Sequence, residues 1–155
     1  MPQLNKGGKY VFGWSLIRND GIIQFPQSVL DEYHLTNESR IIIFTGSKVA
    51  GGFCVTTEQM LSVSKLSGII KNLPQLSSDH EYPGAFFPYK GRYYAWLPLS
   101  KEGTIKLPQE TMRFLHLEVG NKLMSIRSSN IAFTMGAKGP LLERGRSYQG
   151  YIKTY

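Results

Sequence analysis

The stretch GIIQFPQSVLDEYHL at residues 21–35 returns as GTIKLPQETMRFLHL at residues 103–117. The copies share the first glycine, an isoleucine two residues on, a Pro-Gln pair and a closing His-Leu pair. Sliding the chain by 82 residues aligns the two halves without a gap, so that Trp14 falls on Trp96. Because two copies are too few for a solenoid, the pattern predicts two half-domains related by pseudo-two-fold symmetry.

Each copy predicts the same order of elements. An aromatic strand leads into a polar turn that ends in Gly21 or Gly103, and glycine accepts the positive φ such turns need. A short strand follows, and Pro26 or Pro108 then stands where a helix of one or two turns can begin. Two more strands joined by a small polar turn complete the unit. The sequence therefore predicts a mainly β chain with short helices.

The repeats divide the chain into segments, and we expect the two repeats to form one structural domain. After the first repeat, Thr56 and Gln59 form a capping box ahead of apolar residues at helical spacing, which predicts an amphipathic helix. No matching helix is predicted after the second repeat, where a basic tail opens on glycines. The segments are repeat one at residues 8–55, the helix at 56–73, a linker at 74–90, repeat two at 91–135 and the tail at 136–155.

The positive charge is unevenly distributed. The chain has a formal net charge of +7, yet residues 1–81 hold seven Lys and Arg against seven Asp and Glu. Residues 82–155 hold eleven against four and so carry the whole excess. A basic half suggests a polyanionic partner, since Lys and Arg displace counterions from phosphates. A solvated basic surface is the alternative explanation.

Other classes of protein are disfavoured by composition. The single cysteine, Cys54, excludes an intrachain disulfide and a multi-cysteine metal site, and it suits a reducing compartment. No apolar run reaches the length of a membrane span, and the N-terminus shows no signal peptide. We therefore expect a soluble, cytoplasmic protein without a membrane partner.

No set of residues predicts catalysis, a cofactor or a metal site. His34 and His116 occupy equivalent repeat positions, where they are interpreted as closing the short helices. His80 stands between two acidic residues of the linker and is interpreted as part of a solvated turn. Cys54 lies on a predicted strand without an adjacent histidine, so a buried thiol is expected. The sequence predicts that the protein is not an enzyme.

The repeated unit resembles the AbrB/SpoVT swapped-hairpin family. The glycine, the proline five residues later and the closing His-Leu pair carry the resemblance, together with the strands at 40–45 and 122–127. In that family two copies exchange hairpins and close one barrel. Here one chain would supply both copies, as in the MraZ branch. The resemblance implies two tandem repeats that close one pseudo-two-fold β-barrel, which would remove the unpaired strand edges of each copy.

The resemblance also implies a DNA-binding transcriptional regulator. Of the positions that are basic in the family, only Arg113 is basic in this sequence. Further cations flank the glycine turns and strands, and we expect contacts mainly with the phosphates of double-stranded DNA. A homodimer or higher oligomer would let two barrels reach neighbouring major grooves, about 34 Å apart. The candidate nucleic-acid-binding residues are Arg18, Lys101, Lys106, Arg113 and Arg127.

A second function remains open on the same barrel. It is a protein-interaction or sensor module without DNA binding, whose contacts would lie on the helix after repeat one, the aromatic linker or the tail. The tail interleaves Lys and Arg with three tyrosines, which suits nucleic-acid backbones and equally suits a surface strand or an unstructured end.

Overall fold

The computed structural model describes Gln3, residues 9–77 and residues 82–155. Strands and short helices make up this part of the chain, which confirms the predicted mainly β class with short helices. No helix among these residues is long and apolar enough to cross a membrane. The strands are β1 (Val11–Leu16), β2 (Ile22–Gln24), β3 (Arg40–Thr45), β4 (Phe53–Thr56), β5 (Phe87–Tyr89), β6 (Arg92–Pro98), β7 (Thr104–Lys106), β8 (Lys122–Arg127) and β9 (Phe133–Gly136). The helices are α1 (Gln27–Glu32), α2 (Glu58–Ser62), α3 (Gly68–Asn72), α4 (Gln109–Phe114) and α5 (Pro140–Arg146).

Strands of the two repeats interleave in one large antiparallel sheet. Its order is β1-β8-β9-β4-β3-β6-β5, and β2 pairs with β7 in a separate two-stranded sheet. Trp14 of β1 lies opposite Met124 of β8, and Trp96 of β6 lies opposite Ile42 of β3. A shift of 82 residues converts the first pair into the second. Each repeat therefore lends its first strand to the other.

A pseudo-two-fold axis relates the two repeats, and two pairs of strands lie across it. In the small sheet, Ile23 of β2 faces its own repeat equivalent, Ile105 of β7. In the centre of the large sheet, Cys54 of β4 faces Thr134 of β9. A pseudo-two-fold axis thus passes through both pairs.

The main core fills the space between these two pairs of strands. Inward-facing residues of both repeats form it, and Phe133 is fully buried there. The Phe133 ring centroid lies 5.4 Å from that of Phe25 and 5.1 Å from that of Tyr33. The Tyr33 hydroxyl donates to the carbonyls of Ser129 (2.9 Å) and Ala132 (3.1 Å), and burial raises its pKa to about 12. The residue that follows α1 is thereby attached to the turn that joins β8 and β9.

The outer face of the large sheet is covered on both sides of the axis. On one side α2, α3 and β5 pack against β3 and β6, with Leu61 and Ile69 buried beside Ile42. On the other side α5 packs against β1 and β8, with Leu142 fully buried beside Trp14. Outward-facing residues of this sheet are therefore apolar where a helix covers them.

The single amphipathic helix predicted for residues 56–73 is wrong. The structure has two short helices, α2 and α3, and the side chain of Thr57 rather than Thr56 caps α2 by accepting from the Met60 amide at 3.1 Å. The break follows from Ser64, whose hydroxyl donates to the Leu61 carbonyl and accepts from the Leu66 amide. Serine side chains compete in this way with the backbone bonds of a helix.

The tail also differs from the prediction, because it contains α5. Pro140 stands in the first turn, where the missing N–H costs nothing, and the burial of Leu142 supplies the packing energy. Beyond α5 the last residues lie along β1, where the Trp14 amide donates to the Lys153 carbonyl at 2.9 Å. The Tyr155 amide donates back to the Trp14 carbonyl at 2.7 Å. The tail therefore covers the exposed edge of β1.

In the structure the two repeats differ in the length of one turn, so the alignment without a gap does not hold throughout. Seven residues (46–52) join β3 to β4, whereas five (128–132) join β8 to β9. Beyond this turn, Phe53 corresponds to Phe133 and the offset falls from 82 to 80 residues. The longer turn in repeat one accommodates Gly51 and Gly52, which both have left-handed φ.

Candidate functional site

Three of the five predicted cations surround the small β2–β7 sheet. Arg18 precedes β2, and its amide donates to the Ile22 carbonyl at 2.9 Å. Lys106 lies directly opposite Ile22 in the strand pair. Lys101 belongs to the equivalent turn before β7, so it lies toward the other end of this sheet. All three side chains are exposed, and none forms an ion pair with a residue that the structure describes.

The same turns also hold acidic residues. Asp20 follows Arg18 closely in the first turn, and Glu102 follows Lys101 in the second; both are exposed. The turns and short strands at 18–24 and 100–106 therefore have a net charge of +1, from Arg18, Lys101 and Lys106 against Asp20 and Glu102. This surface can contact a few phosphates but does not present a strongly basic field.

The other two predicted cations form ion pairs with carboxylates. Arg113 of α4 forms an ion pair with Glu110 one turn earlier, at 2.6 Å between its Nη1 and Oε1. Arg127, at the end of β8, pairs with Glu32 at the end of α1 and also donates to Asn130. Two of the five predicted cations therefore already have a carboxylate partner.

A second cationic site lies on the outer face of the large sheet, at the axis. It is a groove of about 810 Å³ between the α2–α3 side and the α5 side. Its floor is formed where β4 meets β9, because the outward residues there are the small Cys54, Thr56 and Thr134. Side chains of this size leave open the space that helices fill on either side. We call it the axial groove.

The walls of the axial groove are apolar and its rim is basic. Leu61 and Ile69 line one side, Leu141 and Leu142 line the other, and Tyr94 lies beneath. None of the described residues that line the groove is acidic. The cations that line it are Lys9, Lys65, Lys90, Arg92 and Lys138.

No local pattern predicts these five cations as one site, although Lys138 belongs to the basic tail that suits nucleic-acid backbones. They come from the segment before β1, the turn after α2, the β5–β6 turn, β6 and the segment after β9. No spacing in the sequence relates them, since the strand exchange alone brings them to one face. The one available signal is the pair Lys90 and Arg92 beside Tyr89 and Tyr94. In the structure Lys90 lies over the Tyr89 ring (5.4 Å) and Arg92 over the Phe44 ring (5.5 Å).

Cys54 is the chemically distinctive residue of the groove floor. Its side chain is 8% exposed, and its sulfur lies 3.5 Å from the Thr134 hydroxyl. Burial raises the pKa of this thiol, while the hydrogen bond with Thr134 and the charges of Arg92 and Lys9 act in the opposite direction. The net result is a neutral thiol at pH 7, as expected for a buried cysteine.

We expect Cys54 to react slowly with iodoacetamide. The thiolate is the reactive form, and an ordinary cysteine titrates near pH 8.5. Because the pKa of Cys54 is raised, its alkylation rate should keep rising about tenfold per pH unit as the pH increases. The rate of a free cysteine levels off at a lower pH. Mass-spectrometric labelling rates between pH 7 and pH 10, with glutathione as control, test this. A rate that levels off at or below the pH found for glutathione would contradict it.

The remaining sequence candidates do not form a site. His34 and His116 adopt left-handed φ values of 53° and 57° one residue beyond the C-caps of α1 and α4, in agreement with a role in closing these helices. No group of three His, Cys, Asp or Glu side chains in the described ranges could hold a metal ion. The stretch around His80 lies outside the described residues.

In comparisons with known proteins, no family model matches the chain and no curated protein is similar to it.

Proposed function

We propose that this protein is a DNA-binding transcriptional regulator of the AbrB/SpoVT type that contacts duplex phosphates through the surface around β2 and β7. The observation that carries the proposal is the placement of Arg18, Lys101 and Lys106, exposed and without ion pairs among the described residues, around strands that lie on the axis. Exposed cations without carboxylate partners can displace counterions from the phosphates of duplex DNA and so bind its backbone without reading its sequence.

We further propose that the two sheets close into one barrel. Strands β1 and β6 continue through tight turns into β2 and β7, and these pair with each other. The turns are hydrogen-bonded in the same way: the amides of Arg18 and Ser100 donate to the carbonyls of Ile22 and Thr104. Across this junction the Ser15 hydroxyl donates to the Gln24 carbonyl at 2.7 Å. A barrel would hold the cations in a fixed arrangement on one end.

The salt dependence of DNA binding tests the proposal. With three phosphate contacts, the affinity for a mixed-sequence duplex should fall with salt at a slope of about −2.7 on logarithmic axes. Replacing Arg18, Lys101 and Lys106 together by alanine should abolish this slope and the binding that depends on it. Fluorescence anisotropy between 50 and 200 mM salt (about the range over which phosphate contacts weaken) measures both.

The controls separate this surface from the rest of the molecule. Arg113→Ala should change the affinity little, because Glu110 already pairs with that guanidinium. Replacing Lys65 and Lys90 on the rim of the axial groove should also leave DNA binding intact. The proposal fails if wild-type protein at micromolar concentration does not bind duplex DNA at low salt, or if the triple variant binds as wild type does.

A further inference from the structure

We propose that the axial groove binds a small amphipathic anion, a molecule with an apolar chain or ring system and one carboxylate, sulfonate or phosphate group. This site is separate from the proposed DNA surface, because the main core lies between β2–β7 and β4–β9. The size of the groove, about 810 Å³, lies within the roughly 300–1,000 Å³ that holds small organic ligands.

The apolar walls require an apolar body in the ligand. Leu66 and Val49 line the groove and are 48% and 67% exposed, although residues of this type are usually covered. Phe44, Tyr89 and Leu141, which also line the groove, are partly exposed and present hydrocarbon to its interior. Filling this space with hydrocarbon would remove apolar surface from water, which favours a chain or ring system over an inorganic ion.

The rim requires negative charge in the ligand. Five cations line the groove, and none of them forms an ion pair with a described residue. The groove thus gathers unpaired cations without a carboxylate among its described lining residues. Uncompensated cations above an apolar cavity attract an anionic headgroup and reject a cationic one.

Two of the cations act on the floor itself. Arg92 and Lys9 both lower the pKa of Cys54, against the larger effect of burial, so their positive potential reaches the bottom of the groove. Arg92 lies over the Phe44 ring and donates to the Thr45 carbonyl at 3.4 Å, which holds its guanidinium at the rim. An anionic headgroup can therefore bind at the Arg92 end while its apolar body lies between Leu61 and Leu142.

Cys54 supplies a direct measure of occupancy, because it is the chain's one cysteine and it lies on the floor. The experiment measures iodoacetamide labelling of Cys54 in wild-type protein with added dodecanoate, kept below the concentration at which it forms micelles. At ten times the dissociation constant, the ligand should slow labelling about tenfold. Dodecyltrimethylammonium, which has the same chain and the opposite charge, and acetate, which lacks the chain, should not slow it.

Substitutions of the rim cations test whether these side chains bind the anionic headgroup. Lys9→Gln with Arg92→Gln should weaken dodecanoate binding about tenfold in isothermal titration calorimetry. Lys65→Gln with Lys90→Gln, which leaves the Arg92 contacts intact, is the second variant and should weaken binding even if the first fails to fold. The triple variant at Arg18, Lys101 and Lys106 should bind dodecanoate as wild type does.

The outcomes are decisive in both directions. Protection by dodecanoate alone, reduced in the rim variants, supports the proposal. Equal protection by the cationic amphiphile would show a merely hydrophobic cavity and overturn it. Binding to phosphatidylglycerol vesicles without any binding of dodecanoate would assign the surface to a membrane and overturn it as well. The absence of protection and of calorimetric binding would exclude the site.

Discussion

Gly21→Ala is expected to lower the free energy of unfolding by about 3 kcal/mol or more. Gly21 has a φ of +79°, which an alanine adopts only with strain. A Cβ at this position would also overlap the carbonyl oxygen of Leu107, on the chain segment just after β7. The Leu107 amide donates to the Gly21 carbonyl at 3.0 Å. Relieving the overlap would therefore pull apart the two chain segments at the point where the repeats meet.

The repeat supplies a matched control for this substitution. Gly103 occupies the equivalent position with a φ of +82°, but a Cβ there would meet the side chain of Leu30, which can change rotamer. Gly91, at a φ of +83°, has open space around its Cβ position and reports the backbone strain alone. Urea denaturation should therefore rank the losses as Gly21→Ala, then Gly103→Ala, then Gly91→Ala. Equal losses at Gly21 and Gly91 would contradict the close approach of Leu107.

Phe133→Ala is expected to lower the free energy of unfolding by about 3–5 kcal/mol. The ring is fully buried on β9 and packs against Phe25 and Tyr33, which both belong to the first repeat. The substitution leaves a cavity between the repeats, which a backbone fixed in two sheets cannot fill by collapse. Guanidinium chloride denaturation followed by tryptophan fluorescence measures the loss.

The number of unfolding transitions shows whether the two repeats unfold together. Trp14 and Trp96 belong to different repeats, and each repeat lends its tryptophan strand to the other. We therefore expect one cooperative transition in wild type and in Phe133→Ala, shifted to lower denaturant concentration. Phe114→Ala is the control, because that ring is 44% exposed and its removal should cost about 1 kcal/mol. Two separate transitions in Phe133→Ala would show that the repeats unfold independently.

Local elements of the fold were predictable because their signals lie close together in the sequence. Glycine turns and prolines mark the starts of β2, β7, α1 and α4, and the structure has these elements where they were predicted. Elements whose stability comes from distant contacts were not predictable. Helix α5 forms because Leu142 packs beside Trp14, more than a hundred residues away, although its own start, Gly139-Pro140, resembles a chain break.

The candidate sites also differ in whether they depend on neighbouring residues or on distant contacts. Exposed Arg18, Lys101 and Lys106 could be found because they flank recognisable turns. The pairing of Arg127 with Glu32 could not, because these residues are 95 positions apart and approach each other only after β8 joins the sheet. For the same reason the axial groove has no counterpart in any local motif.

Local sequence specifies the repeating unit of this protein, since a glycine turn, a proline and a closing His-Leu pair constrain backbone dihedrals within a few residues. It also determined that the excess positive charge belongs to the second half of the chain. Which Lys and Arg side chains pair with a carboxylate, and which gather around one groove, depends on the tertiary structure. Strand exchange about the axis places Lys9, Arg92 and Lys138 from both halves around Cys54, and such long-range packing depends on the register of the sheet rather than on neighbouring residues.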